Sequence, residues 1–216
     1  MEHGHSDGAR HDRVPGAGRA NRRVFGAAPL FVGRLRDQFR RAGRHFGAGV
    51  LAGADADRVV FPGQGAMGAC MLALHEHNLV EVIKKSAAEK PFLGICLGLQ
   101  LLFDHSEENN GTDGLSIIQG KVVKFANNKL KIPHMGWNTV NQVSAHPLWH
   151  NIDNNARFYS VHSYYVQEKD SSVVAGSTEY GHSFTSAITK DRMFAVQFHP
   201  EKSQHDGLQL LKNFVD

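Results

Sequence analysis

The chain has 216 residues, a formal net charge of +3 at neutral pH and an apolar fraction of 41%, enough for one sizeable core. Its two cysteines, Cys70 and Cys96, cannot build a disulfide framework and point to a reducing compartment. No run approaches the ~18 apolar residues of a membrane-spanning helix and the start has no apolar signal core, so no membrane contact is expected and the cytoplasm is the expected location.

The charge is unevenly placed. Ten of the thirteen arginines precede residue 50, whereas all eleven lysines lie from Lys84 onward. Residues 1–50 are rich in Arg, Gly, Ala and His and contain no Lys, Ile or Tyr; only Leu30 to Phe46 hints at a basic amphipathic helix. That composition fits a disordered basic arm for nucleic acid or an acidic surface. The favoured reading is instead an out-of-frame translation or a wrongly assigned start in a GC-rich gene, because Arg, Gly and Ala come from GC-rich codons and the segment lacks hydrophobic patterning. The folded domain is expected over residues 55–216.

From Asp57 the pattern changes. Arg58 to Phe61 is a β-branched strand, and Pro62 to Gly68 is a glycine-rich loop leading into a helix through Met71, Leu72, Leu74 and Leu79. The loop lacks both the Lys-Ser/Thr of a nucleotide phosphate loop and the spacing of a dinucleotide fingerprint, so by itself it is a tight βα turn or a small anion cradle. A helical stretch runs to Glu89. Residues 91–103, PFLGICLGLQLLF, then read as strand, tight turn and helix, with the helix reaching about His105. After a polar loop at Glu107 to Gly111, strands are expected at Gly120 to Phe125, Leu130 to Ile132 and Arg157 to Val161, with Pro133 to Asn138 as a break. Val173 to Gly176, Ser183 to Thr189 and Phe194 to Phe198 continue the strands, and Leu208 to Val215 closes the chain as an amphipathic helix. Helices bracket strands in the first half and strands dominate the second. This order predicts an α/β fold, a mostly parallel central sheet flanked by helices with an antiparallel extension.

The chemistry starts at Cys96. Glycines two residues to either side make G-x-C-x-G, the thiol counterpart of the G-x-S-x-G nucleophile elbow. A thiol at a helix start also gains from the partial positive charge there. Alone, the motif is equally a buried small hydrophobe. His199 and Glu201, at the C-terminal end of the last strand, supply a general base and a carboxylate to orient it, with both side chains on one face of an extended segment. His-x-Glu is also half of a metal site, but His75/His77 and His3/His5 offer no second half in register, so no metal and no cofactor is expected.

G-I-C-L-G-L-Q, the upstream P-G-Q-G-A-M and the terminal Q-F-H-P-E-K-S-Q resemble the triad-type, class I glutamine amidotransferases. P-H-M-G-W-N at 133–138 and F-Y-S-V-H-S-Y at 158–164 resemble, within them, the glutaminase subunit of imidazole glycerol phosphate synthase. The resemblance covers about residues 55–216 and implies a flavodoxin-like fold. It further implies that Cys96 attacks the carboxamide of L-glutamine, that His199 moves protons and that Glu201 orients His199. The backbone of Leu97 and of Gly63, Gln64 and Gly65 would hold the oxyanion, and Gln100, Glu108, Tyr159, Ser163 and Tyr164 the rest of glutamine. The implied partner is a (β/α)8-barrel cyclase, forming a heterodimer that makes imidazole glycerol phosphate and AICAR in histidine biosynthesis. Pro133, Met135, Trp137 and Lys202 would face it.

Members of the resembled family open with a strand and a D-Y-G-x-G-N loop, and the sequence of residues 1–50 offers no Asp-Tyr-Gly and no credible Val/Ile-rich strand. Two other readings stay open: a different member of the class I amidotransferases, and a catalytically dead module whose basic arm binds nucleic acid. Intact Cys96, His199 and Glu201 weigh against the second.

Overall fold

The computed structural model describes residues 56–126 and 130–216. The Arg-rich segment over 1–50, including the helix suggested at Leu30 to Phe46, lies outside the described residues.

The first unit is strand–helix–helix–strand. β1 (Val59–Gly63) leads through the glycine-rich loop to α1 (Met67–Glu76) and α2 (Val80–Glu89), and β2 (Phe92–Cys96) follows. β2 is buried along its whole length, as a strand with both faces covered must be. It lies between β1 and β12 (Met193–Val196), parallel to both. Successive side chains of these strands enter opposite cores. Val59, Phe61, Phe92, Met193 and Ala195 pack with α1 and α2, whereas Leu93, Ile95, Phe194 and Val196 pack with α4 (Gln204–Val215).

Beyond β12 the sheet turns antiparallel. β11 (Ser183–Lys190) pairs with β12, with β9 (Tyr164–Glu168) and with β10 (Val174–Glu179). β9 pairs with β5 (Ile118–Lys124), which runs parallel to β3 (Phe103–Ser106), and β4 (Thr112–Asp113) and β7 (Asn141–Gln142) add short edges. The class is therefore α/β with a parallel centre around β2 and an antiparallel extension. A separate two-stranded sheet joins β6 (His134–Thr139) to β8 (Arg157–His162).

Three local readings are corrected. The helix after Cys96, α3, is one turn, Leu97–Gln100, and Phe103–Ser106 is a strand rather than its continuation to His105. Leu101, Leu102 and Phe103 are all buried, and an unbroken apolar run carries no period to tell helix from strand. No strand forms at Leu130 to Ile132, and Pro133 to Asn138 is not a break, since β6 starts at His134.

Candidate active site

Parallel pairing brings three chain segments to one end of the sheet. Gly63 at the end of β1 is in register with Cys96 at the end of β2, and Val196 at the end of β12 is in register with Ile95. A cavity of about 360 Å³ opens there, lined by Cys96, Leu97 and Gln100, by Gln64 and Gly65, by His199 and Lys202, by Glu108 and Pro133, and by Val161 to Tyr164. Its size lies within the usual range of small-molecule sites.

Cys96 sits on the sharp turn that its flanking glycines allow. Its backbone has φ 54° and ψ −109°, strained for a residue with a side chain. The glycines are there because neighbours occupy the space. A Cβ on Gly98 would lie 1.8 Å from the carbonyl oxygen of Phe61, and one on Gly94 would lie 2.8 Å from the Ala195 Cβ. Leu97 opens α3, so its N–H has no partner within that helix. Gly65 has φ +95° in the facing loop. α3 is only one turn long, so the helix charge expected beside the thiol is correspondingly small.

His199 is 2% exposed, and its Nδ1 is 2.7 Å from Glu201 Oε1. The pair forms across Pro200 at the start of a 3-10 turn, Pro200–Lys202, not by alternation along an extended strand. Nε2, the other ring nitrogen, is buried, and Cys96 is the group that interacts with it. Burial is the largest influence on this imidazole and disfavours its charged form. Hydrogen bonding and negative charge from Cys96 and Glu201 together outweigh it, and the pKa rises to about 9.

Two residues not singled out from the sequence support this arrangement. Ser203 Oγ donates to the His199 carbonyl at 2.6 Å and accepts the Tyr159 N–H at 2.9 Å, while the His199 N–H donates to the Tyr159 carbonyl at 2.8 Å. Gln197, fully buried, has its Nε2 3.8 Å from Cys96 Sγ. Its Oε1 accepts from Gln100 Nε2 at 3.1 Å, and Gln100 donates also to the Tyr164 carbonyl at 3.2 Å. Both lie inside the Q-F-H-P-E-K-S motif, at its first and last positions, and that placement was their signal in the sequence.

The remaining sequence candidates separate into three groups. Gln64, Gly65, Leu97, Gln100, Glu108, Ser163 and Tyr164 come together around the cavity, as do Pro133 and Lys202. Glu108 also accepts the Met67 N–H at 2.7 Å, pinning the start of α1 beside the glycine-rich loop. Gly63 and Tyr159 lie behind the lining, where Gly63 abuts Leu97 and the Tyr159 backbone holds His199. Met135 and Trp137 stand outside, 53% and 39% exposed on β6. Among the described residues no three His, Cys, Asp or Glu side chains come together as a metal would need, and no helix is long and apolar enough to cross a membrane.

A family model for class-I glutamine amidotransferases matches residues 51–216. The chain belongs to the class-I glutamine amidotransferase family. Imidazole glycerol phosphate synthase subunit HisH of Hydrogenovibrio crunogenus is 55% identical over 164 residues, 74% of this chain and 77% of that one. The same subunit of Nitrosococcus oceani is 57% identical over 162 residues, covering 74% and 78%. Among solved structures, one described as a glutamine amidotransferase superposes with a TM-score of 0.56 at 14% identity, over 74% of this chain and 80% of that one. Another, from Thermotoga maritima and also described as a glutamine amidotransferase, gives 0.52 at 20% identity, over 74% and 63%. These two speak to the amidotransferase fold alone.

Proposed function

We propose that this amidotransferase is the glutaminase subunit of an imidazole glycerol phosphate synthase, with residues 55–216 as the working domain and the cytoplasm as its setting. It hydrolyses L-glutamine to glutamate and ammonia, and a (β/α)8-barrel cyclase takes up the ammonia to make imidazole glycerol phosphate and AICAR in histidine biosynthesis. The observation that carries the catalytic roles is the Glu201-held, buried His199 in one cavity with the strained Cys96.

The steps follow from that geometry. With Glu201 on Nδ1, His199 Nε2 takes the proton of the Cys96 thiol, and the carboxylate stabilises the imidazolium so formed. The thiolate adds to the carboxamide carbon, and the N–H of Leu97 with the Gln64–Gly65 backbone receives the oxyanion, Gly63 standing behind them against Leu97; one such donor is worth ~3 kcal/mol. His199 Nε2 then gives its proton to the amide nitrogen, so ammonia leaves and a thioester remains. Water, deprotonated by the now neutral imidazole, cleaves the thioester to glutamate and restores the thiol. Gln100 has both amide hydrogens engaged, which leaves Oε1 as its acceptor; with the Glu108 carboxylate it suits the α-ammonium of glutamine. The exposed Met135 and Trp137 on β6, with Pro133 and Lys202 at the cavity rim, form the surface for the cyclase.

The test is glutamine hydrolysis by the full chain with and without a barrel cyclase carrying its nucleotide ligand, for wild type and Cys96→Ala. Partner-stimulated glutamate release that Cys96→Ala abolishes is the expected result. A folded wild type with no activity in the complex, or full activity in Cys96→Ala, overturns the proposal.

A further inference from the structure

β6 has an unusual division of faces. Met135 and Trp137 point to solvent, while His134 is buried and Asn138 half-buried on the other side. His134 lies directly opposite His162 of β8. Their polar atoms form one line. Asn138 Nδ2 donates to the Glu179 carbonyl at 2.9 Å and is 3.2 Å from His134 Nε2; His134 Nδ1 is 3.0 Å from His162 Nε2; His162 Nδ1 is 2.7 Å from the Tyr164 carbonyl.

The ends of the line fix every proton in it. A carbonyl only accepts, so His162 carries its hydrogen on Nδ1, and its bare Nε2 accepts from His134 Nδ1. His134 Nε2 is then bare and accepts the second Asn138 amide hydrogen. Burial favours these neutral rings, lowering the pKa of His162 to about 3 and that of His134 to about 4. The Tyr164 carbonyl that ends the line is the one that also accepts from Gln100, whose other amide hydrogen reaches Gln197 beside Cys96.

We infer that His134 and His162 are positioning residues for glutamine hydrolysis, a tautomer-locked imidazole pair that ties the strand carrying Met135 and Trp137 to the Tyr164 carbonyl and Gln100. The inference rests on the function proposed above, which supplies both the ligand of the cavity and the partner on the outer face. A change in the pitch of β6 when a partner seats on Met135 and Trp137 is felt at His134, and the line delivers it to the groups that hold glutamine. Packing alone does not require imidazoles here. His134 stacks on Tyr180 at 4.0 Å and meets Phe125 and Phe184 edge-on, a setting in which a phenyl ring fits equally well.

The experiment uses the full chain with the nucleotide-loaded barrel cyclase. His134→Phe keeps the ring and cuts the line; His134→Asn places an amide N–H where Nδ1–H stood; His134→Gln places one nearer Nε2. We expect His134→Phe and His134→Gln to raise the glutamine KM about tenfold with a smaller change in kcat and to lose most partner stimulation, and His134→Asn to stay within about threefold of wild type. Long-range ¹H–¹⁵N spectra of the wild type should show His162 as the Nδ1–H tautomer, a readout that needs neither variant nor activity. Wild-type KM and stimulation in His134→Phe, equal behaviour of the Asn and Gln variants, or an Nε2–H tautomer at His162 each overturns the inference. Should His134→Phe not fold, the Asn/Gln contrast and the tautomer decide. An inactive wild-type complex instead sinks the proposed function, and the inference falls with it.

Discussion

Ser203→Ala isolates the link between β8 and the catalytic turn. Ser203 is 1% exposed, and its hydroxyl bridges the His199 carbonyl at 2.6 Å and the Tyr159 N–H at 2.9 Å. Removing one oxygen leaves both backbone groups without that partner, the His199 carbonyl in a buried setting and the Tyr159 N–H in a partly buried one. At ~1–3 kcal/mol for each buried group left unpaired, reduced because the His199 carbonyl keeps a bond from the Lys202 N–H, the loss should be about 3 kcal/mol. For a domain of this size that corresponds to a fall of roughly 6–12 °C in Tm. The same change frees the turn that aims His199, so kcat/KM for glutamine should fall about tenfold at a temperature where the variant remains folded, with Ser203→Thr recovering most of both. Urea denaturation and initial-rate kinetics check the two effects together. A stability loss under ~0.5 kcal/mol would show that the hydroxyl carries no such bridge, since surface substitutions alone reach that size. Loss of stability with unchanged kcat/KM would separate Ser203 from His199 and refute its positioning role.

Gly98→Ala should be far more damaging than its one methyl suggests, because its Cβ falls 1.8 Å from the Phe61 carbonyl oxygen; thermal unfolding should show ~3 kcal/mol or more of lost stability. Glu201→Gln keeps the shape and removes the charge on His199 Nδ1. It should lower kcat/KM about 10–100-fold, less than a general base commands because the Glu201 side chain is 35% exposed, and shift the alkaline limb of the pH–rate profile to lower pH. Stability should also depend on pH in two opposite windows. His199, raised from 6.5 to about 9 on folding, contributes stability that is complete below pH 6.5 and lost as pH rises toward 9; His134 and His162, lowered to about 4 and about 3, make stability fall as pH drops below 6.5. Urea midpoints across this range check both, and His199→Gln should flatten the alkaline arm alone.

What the sequence revealed of the site depended on residues whose spacing has a single mechanical use. Glycines at 94 and 98 mark the elbow because backbone and side chain from neighbouring strands fill the space of a Cβ. His-Pro-Glu after an apolar run marks the end of a buried strand. β6 escaped because its polarity is inverted, with Met135 and Trp137 outward and His134 and Asn138 inward, so the alternation that identifies a half-buried strand pointed the wrong way. The short α3 escaped for the opposite reason, since everything from Leu97 to Phe103 is buried and no face stands out. Ser203 and Gln197 act through single atoms on partners remote in sequence, and a lone polar side chain carries no periodic signal.

The elbow and the turn that bears His199 solve one problem from two sides. Cys96 holds a backbone conformation that costs ~1–3 kcal/mol and persists only where its surroundings over-determine it. β2 meets that condition: it is buried throughout, clamped in parallel between β1 and β12, and closed at the top by Gly98 against Phe61 and by Leu97 against Gly63. His199 has no strand of its own beneath it, because β12 ends at Val196. Its place is fixed from outside, by Tyr159 and Ser203 on its backbone and Glu201 on its ring. In the proposed mechanism the nucleophile is therefore set by the central sheet, whereas the base is set by its own turn and by Tyr159 of β8. β8 pairs with β6, the strand bearing Met135 and Trp137. Under the docking proposed above, a load on the outer face of β6 reaches His199 and the cavity through β8, whereas Cys96 stays where the core has put it.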